Sequence, residues 1–199
     1  MAVTVPIPHW TAEGLIPPVD PANPASPNRS PYRVALPDLI LRFSTSPERI
    51  AILDGFLNFR AAMHAIGLID GFQWIDGSFT ECIETGHRRR PPNDVDLVTF
   101  FRIPAGMTQA DVINANPALF PAGPAEQDAL KATYKVDGYL VHLGAKSDDL
   151  VSQSAYWYGM WAHQRDTRLW KGFLEVALDP ADDAAARLLL NPTPTGATP

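Results

Sequence analysis

The chain has 199 residues, is 46% apolar, and carries a formal charge of -6 with an isoelectric point near 5.2. That length fits one domain with a sizeable core, and the acidic balance argues against a broad basic surface that grips nucleic acid by neutralising phosphates. A single cysteine, Cys82, excludes an intrachain disulfide and a cysteine-based zinc site and reads as a small core residue.

Residues 1–37 hold nine of the twenty prolines. The opening MAVTVPIPHW lacks the basic segment and apolar core of a secretory leader, and no apolar run approaches a membrane span, so a soluble cytoplasmic protein is expected. The composition predicts an extended Pro-rich arm over residues 1–43, packed on a domain of residues 44–190 through His9, Trp10, Leu15, Ile16 and Tyr32. Within it, residues 29–32 read as a packed turn, and residues 36–43 as a short helix or an edge segment. Ser46-Pro47-Glu48 is a strong helix start, with a hydroxyl N-cap, proline at the first position and an acid in the first turn. The helix should run to Ala65 or Ile66, with Gly67 as its stop, and Arg49, Arg60 and His64 solvated or satisfied.

Next comes FQWIDGSFTECIETGHRRRPPNDVDLVTFF, residues 72–101. A short apolar run turns at Asp76-Gly77-Ser78, passes through a polar segment and resumes after Asp94-Val95-Asp96, the order strand, turn, short helix, loop, strand. Side chains alternate along a strand, so Asp94 and Asp96 share one face and Val95 and Leu97 the other. Two carboxylates that close repel and need an offsetting charge, and oxygen-only ligands suit Mg2+ or Mn2+ rather than zinc. Gly77 permits close backbone approach, and Ser78 reads as the first turn of a helix whose free N–H groups suit phosphate oxygens. Together they point to phosphoryl or nucleotidyl transfer. Arg88-Arg89-Arg90, beside Pro91-Pro92, reads as either a solvated loop or a phosphate contact.

Residues 102–131 read as a Pro- and Ala-rich insertion with helix starts at Thr108 and Pro124. Residues 134–143, YKVDGYLVHL, alternate as a third strand, with Asp137 interrupting an otherwise apolar element and His142 a core or edge residue. Ser147-Asp148-Asp149 caps another helix, on which Leu150, Trp157, Tyr158 and Trp161 recur at helical spacing as an aromatic stripe, read as core rather than base-stacking. HQRDTRLWK, residues 163–171, leads into a strand over residues 172–178; Arg165 and Lys171 are its candidates for binding a triphosphate. Residues 179–190 form a last helix, and residues 191–199 a disordered tail. The fold class expected is α/β or α+β: a small mixed sheet with packed helices.

Gly77-Ser78 after a strand, followed by Asp94-x-Asp96 opening the next, resembles the signature of the DNA polymerase β-like nucleotidyltransferase superfamily, on the long side in spacing because residues 86–93 are inserted. The longer context, from IPHWTAEGLIPP through RSPY and PPNDVDLVTFF to WKG, is similar to a bacterial group of small nucleotidyltransferase-like proteins, a likeness that supplies a fold and no substrate. It implies a metal-dependent transfer of a nucleoside monophosphate from an NTP to an acceptor hydroxyl, with pyrophosphate released. Asp94, Asp96 and Asp137 would hold Mg2+ (or Mn2+), with Glu175 competing for the place of Asp137. Gly77, Ser78, Arg165 and Lys171 would bind the nucleotide. The acidic surface favours a protein or small-molecule acceptor over RNA, as in antitoxins of this superfamily that adenylylate a partner toxin. The alternative is a catalytically silent nucleotide-binding or partner-binding module of the same fold. A phosphohydrolase fits less well, since the chain lacks His-Asp pairs.

Overall fold

The computed structural model describes residues 4–85 and 89–191. Residues 4–31 form turns and extended chain with one isolated bridge, Val19 to Arg29. Then come β1 (Tyr32–Arg33), α1 (Leu36–Phe43), α2 (Pro47–Ala65), β2 (Gly71–Asp76), β3 (Val95–Phe101), α3 (Gln109–Ala115), α4 (Pro124–Tyr134), β4 (Val136–His142), α5 (Ser147–Trp161), β5 (Leu174–Ala177) and α6 (Asp183–Leu190). The five strands make one mixed sheet in the order β1-β5-β2-β3-β4. β2 runs antiparallel to both neighbours, while β3–β4 and β1–β5 are parallel pairs. The mixed sheet with packed helices is the fold class expected.

A parallel pair cannot be joined by a tight turn and needs a crossover of a dozen or more residues, commonly helical. The segment read as an insertion over residues 102–131 is that crossover, carrying α3 and α4 from β3 to β4. Thr108 caps α3 in a reciprocal box with Asp111. Elsewhere the local readings shift. Residues 36–43 are helical, one of the two forms expected of them, and β1 joins the sheet while Leu36, Leu39, Ile40 and Phe43 enter the main core. The helix expected after Ser78 is a single 3-10 turn, Ser78–Thr80. Ser147 is the first residue of α5, not its cap, which falls on Lys146. Cys82 is half-buried rather than a core residue. The tail expected beyond Asn191, and Arg88, lie outside the described residues.

Alternation gives the sheet two different faces. Ile75, Val95, Leu97 and Val136 pack against α1 and α2 in the main core, with Leu39, Ile40, Phe56 and Phe59. Trp74, Val98, Phe100 and Val141 face the other way and meet Trp157 and Trp161 of α5, with Phe173. The α5 stripe is therefore core, as read from its spacing. Among the described residues no helix is long and apolar enough to cross a membrane.

Two arginines of α2 are fully buried, and both are satisfied. Arg49 bonds the carbonyls of Phe79 and Glu81 and pairs with Glu84, tying α2 to the segment after β2. Arg60 donates to Gln73 Oε1 at 2.7 Å and to the carbonyls of Ala177 and Asp179, and pairs with Asp183 at 2.7 Å, so one side chain joins α2, β2 and the start of α6. Removing one partner of a buried pair strands the other. Arg60→Ala should therefore cost about 3–5 kcal/mol, read as a lowered midpoint in urea, whereas Arg102→Ala, which breaks an exposed contact to Asp70 at 3.6 Å, should cost under about 0.5 kcal/mol.

Candidate active site

The α5-side face of the sheet changes character toward one end. β2 pairs with β3 so that Asp76 lies opposite Asp96, and β3 pairs with β4 so that Asp96 lies opposite Asp137. Strand alternation puts all three on the face that carries Trp74, Val98 and Val141 farther along. Asp94, one residue before β3, shares the side of Asp96. A row of carboxylates thus forms where the aromatic packing stops, and it floors a cavity of about 880 Å³.

Asp94, Asp96, Asp137, Gly77, Ser78, Arg165 and Lys171, the seven residues singled out in the sequence, all line this one cavity. Glu175 does not: it pairs with Arg33 and accepts from the Trp74 indole at 3.1 Å, on the far side of β2. His142 ends β4 against the Phe101 ring, outside the cavity. Arg90 of the arginine run reaches the cavity rim.

Gly77 has φ 81°, and a Cβ placed there would lie 1.7 Å from Asp96 Oδ2. Both the backbone conformation and the close approach exclude any other residue. The turn after β2 can fold over the acid row only because this side chain is missing.

Lys171 is only 4% exposed, and it does not reach into open space. Its ammonium meets Asp76 Oδ1 at 3.0 Å, Glu81 Oε1 at 2.9 Å and the Gly77 carbonyl at 3.2 Å. Gln164 Nε2 donates to Glu81 Oε2 at 2.7 Å, and Thr80 Oγ1 donates to Asp76 Oδ1 at 3.2 Å. Burial works against the charged lysine, but Asp76 and Glu81 outweigh it and raise its pKa. Lys171 is therefore a structural cation behind the acid row, and any contact it makes to a phosphate is by field rather than by touch.

On the other flank, Lys131 of α4 bridges Asp94 Oδ2 at 3.1 Å and Asp137 Oδ2 at 2.8 Å. Burial opposes that ammonium too, and its bonds to Asp137 and Asp94 more than compensate, raising its pKa. Gln127, one turn earlier, donates to Asp137 Oδ1 at 2.6 Å.

Asp96 sits between these two clusters, and among the described residues it has no ion pair. Burial, then the charges of Asp76, Asp94 and Asp137, push its carboxyl up to about 7, with Lys171 pulling weakly the other way. Burial also lifts Asp76 to about 6 against the pull of Lys171. We assign the retained proton to Asp96, because Asp76 is in direct contact with an ammonium.

The opposite wall belongs to α5 and the loop after it. Tyr156 and Met160 are about half exposed there (56% and 48%), beside Tyr139 of β4. Arg165 and Arg168 line the rim.

Asp76, Glu81, Lys131, Tyr156 and Met160 were not singled out in the sequence. Asp76 had a readable signal, since it ends an apolar strand and an antiparallel return would set it against Asp96. Lys131 and Glu81 had none, because their contacts span loops whose course the sequence does not specify.

The model of a family described as Family of unknown function (DUF6932) matches residues 8–177. The chain belongs to that family. The DUF6932 match takes in both α2 arginines and every residue of the acid row with its two lysines. No curated protein and no solved structure gave a match.

An acid whose pKa is raised in the folded state binds its proton more tightly there than when unfolded, so it lowers stability as pH climbs from about 4, the unfolded value, to about 7. Asp96→Asn abolishes that loss. In metal-free buffer, the variant's gain in melting temperature over wild type should be larger at pH 8 than at pH 5, by about 5 °C or more if each pKa unit is worth about 1.4 kcal/mol and each kcal/mol roughly 2–4 °C. An equal gain at both pH values, by differential scanning fluorimetry, would contradict the assignment.

Proposed function

We propose that the protein is a metal-dependent nucleotidyltransferase, moving a nucleoside monophosphate from an NTP to an acceptor hydroxyl with release of pyrophosphate. The observation that carries this reading is the cross-strand row Asp76–Asp96–Asp137, with Asp94 beside it and the Gly77-Ser78 turn folded against it, all lining one cavity.

The donor set suits a hard cation: it is all oxygen, and burial together with the neighbouring charges of Asp76, Asp94 and Asp137 lets Asp96 retain a proton near neutrality. Asp94 and Asp96 are the residues that would hold it. A bound Mg2+ or Mn2+ supplies charge neutralisation at the phosphates and lowers the pKa of an attacking hydroxyl. As the chain stands, no three His, Cys, Asp or Glu side chains among the described residues are grouped so as to hold an ion. Both oxygens of Asp137 are engaged by α4.

The remaining work falls to the walls. The exposed guanidinium groups of Arg165 and Arg168 are placed to bind phosphate oxygens, where planar donors make paired, charge-assisted bonds. Tyr156 and Met160, with Tyr139 behind, offer an apolar surface on which a base can stack. Gly77, with no side chain, lets the turn that carries Ser78 close directly against Asp96. In the transfer itself, the acceptor oxygen bonds to the α-phosphorus, the bond from that phosphorus to the bridging oxygen breaks, and pyrophosphate leaves; the hydroxyl proton passes to the acid row. Catalysis of this kind is positioning and charge stabilisation.

The test is incubation of the protein with each NTP and Mg2+ or Mn2+, followed by measurement of pyrophosphate and of labelled acceptor. Release is expected for at least one NTP, with a drop of at least about 100-fold in Asp94→Asn and an unchanged circular dichroism spectrum. Nucleotide binding without release would replace this reading by that of a silent nucleotide-binding module. Neither binding nor release would discard both.

A further inference from the structure

Resting on the nucleotidyltransferase reading, we infer that Lys131 is a built-in cation occupying one of the two positions where a divalent ion would otherwise sit, so that the site takes one divalent ion rather than two. Lys131 Nζ lies 3.1 Å from Asp94 Oδ2 and 2.8 Å from Asp137 Oδ2, a single positive centre shared between the carboxylate that precedes β3 and one on β4. That is the place a bridging ion takes between two acids. Asp137 has no oxygen to spare, because Gln127 Nε2 holds Oδ1 at 2.6 Å while Lys131 holds Oδ2.

The arrangement is built in rather than incidental. Gln127 and Lys131 stand four residues apart on α4 and so share one face of the helix. Leu130 between them is 2% exposed and fixes the rotation that aims that face at β4. Gly55 of α2 packs so closely that a Cβ there would fall 2.1 Å from the Tyr134 carbonyl at the end of α4. The helix is thus locked along its length.

The two sides of the row then differ. Asp94 shares its charge with Lys131 but keeps one oxygen outside that contact, and Asp96 has no ion-pair partner among the described residues. These two remain for an ion, while the Asp137 side is closed by an ammonium that needs no metal. A lysine carries one charge where a divalent ion carries two, and it binds through N–H donors. It can therefore steady a phosphate oxygen but cannot bind a hydroxyl oxygen as a Lewis acid.

The test is the number of Mn2+ ions bound per chain, counted by electron paramagnetic resonance titration of the full-length protein at pH 7.5 without nucleotide. Wild type should take one, Lys131→Met two, and Lys131→Arg, which keeps the charge, one. Lys131 is more than a third exposed, so the methionine variant should fold; a melting curve checks this, and the wild-type count stands by itself if it does not. Two ions in wild type, or one in a folded Lys131→Met, would overturn the role of Lys131 and leave the transferase reading in place. No ion in any of the three would overturn the metal-dependent reading and this inference with it, even if pyrophosphate release were seen.

Discussion

Three carboxylates at one level of three adjacent strands are the constraint around which this end of the molecule is arranged. Like charges set directly opposite one another across a sheet are destabilising, and here the opposition is double, Asp76 to Asp96 and Asp96 to Asp137. A fold driven by burial alone would put apolar residues in such a row, as it does farther along the same strands with Trp74, Val98 and Val141. The local conflict between charge repulsion and strand pairing is of the kind that folded chains keep at functional sites and offset elsewhere.

The offset comes from both flanks and from distant sequence. Lys171, just before β5, enters behind Asp76, and the surrounding Glu81, Gln164 and Thr80 satisfy the remaining polar atoms. A buried ion pair of this sort contributes little to stability relative to a well-packed apolar group, but breaking it is expensive. Its effect is therefore on placement: it fixes the turn at Gly77 and the loop of residues 163–171 against each other, and that loop also carries Arg165 and Arg168. Lys131 does the same on the far side for Asp94 and Asp137. Asp96, in the middle, is buried among the other carboxylates with neither flank's cation in contact, and burial followed by those charges raises its pKa.

The sequence was informative wherever local periodicity decides structure. Strand alternation alone put Asp94 and Asp96 on one face, the Ser46-Pro47-Glu48 signal marked the start of α2, and the helical spacing of Trp157 and Trp161 marked them as core. It was uninformative where a long-range contact decides. Residues 102–131 looked like an appendage because nothing local shows that β3 and β4 run parallel, and parallel pairing is what turns such a segment into a required crossover. The strand β1 was hidden for a related reason: a two-residue strand has no period of its own and exists only through its pairing with β5. Lys171 was marked as a cation of the site, yet the sequence could not tell a lysine aimed at a ligand from one buried between Asp76 and Glu81.

That distinction between lysines also bears on how the site is held. A surface lysine pairing with a carboxylate is worth little, because its long chain loses conformational freedom and water screens the charge. Lys131 escapes part of that cost through its setting rather than its chemistry. Leu130 and Gly55 fix the helix that bears it, Gln127 holds the nearer carboxylate in place, and Lys135 follows α4 in a left-handed conformation (φ 54°) that turns the chain directly into β4. Asp137 lies only six positions after Lys131, and the five residues between them are in α4, in that turn or at the start of β4. The cation and its carboxylate are thus positioned by one short, well-packed helix-to-strand unit, so the geometry at this end of the acid row depends little on the more exposed loop that carries the arginines at the other.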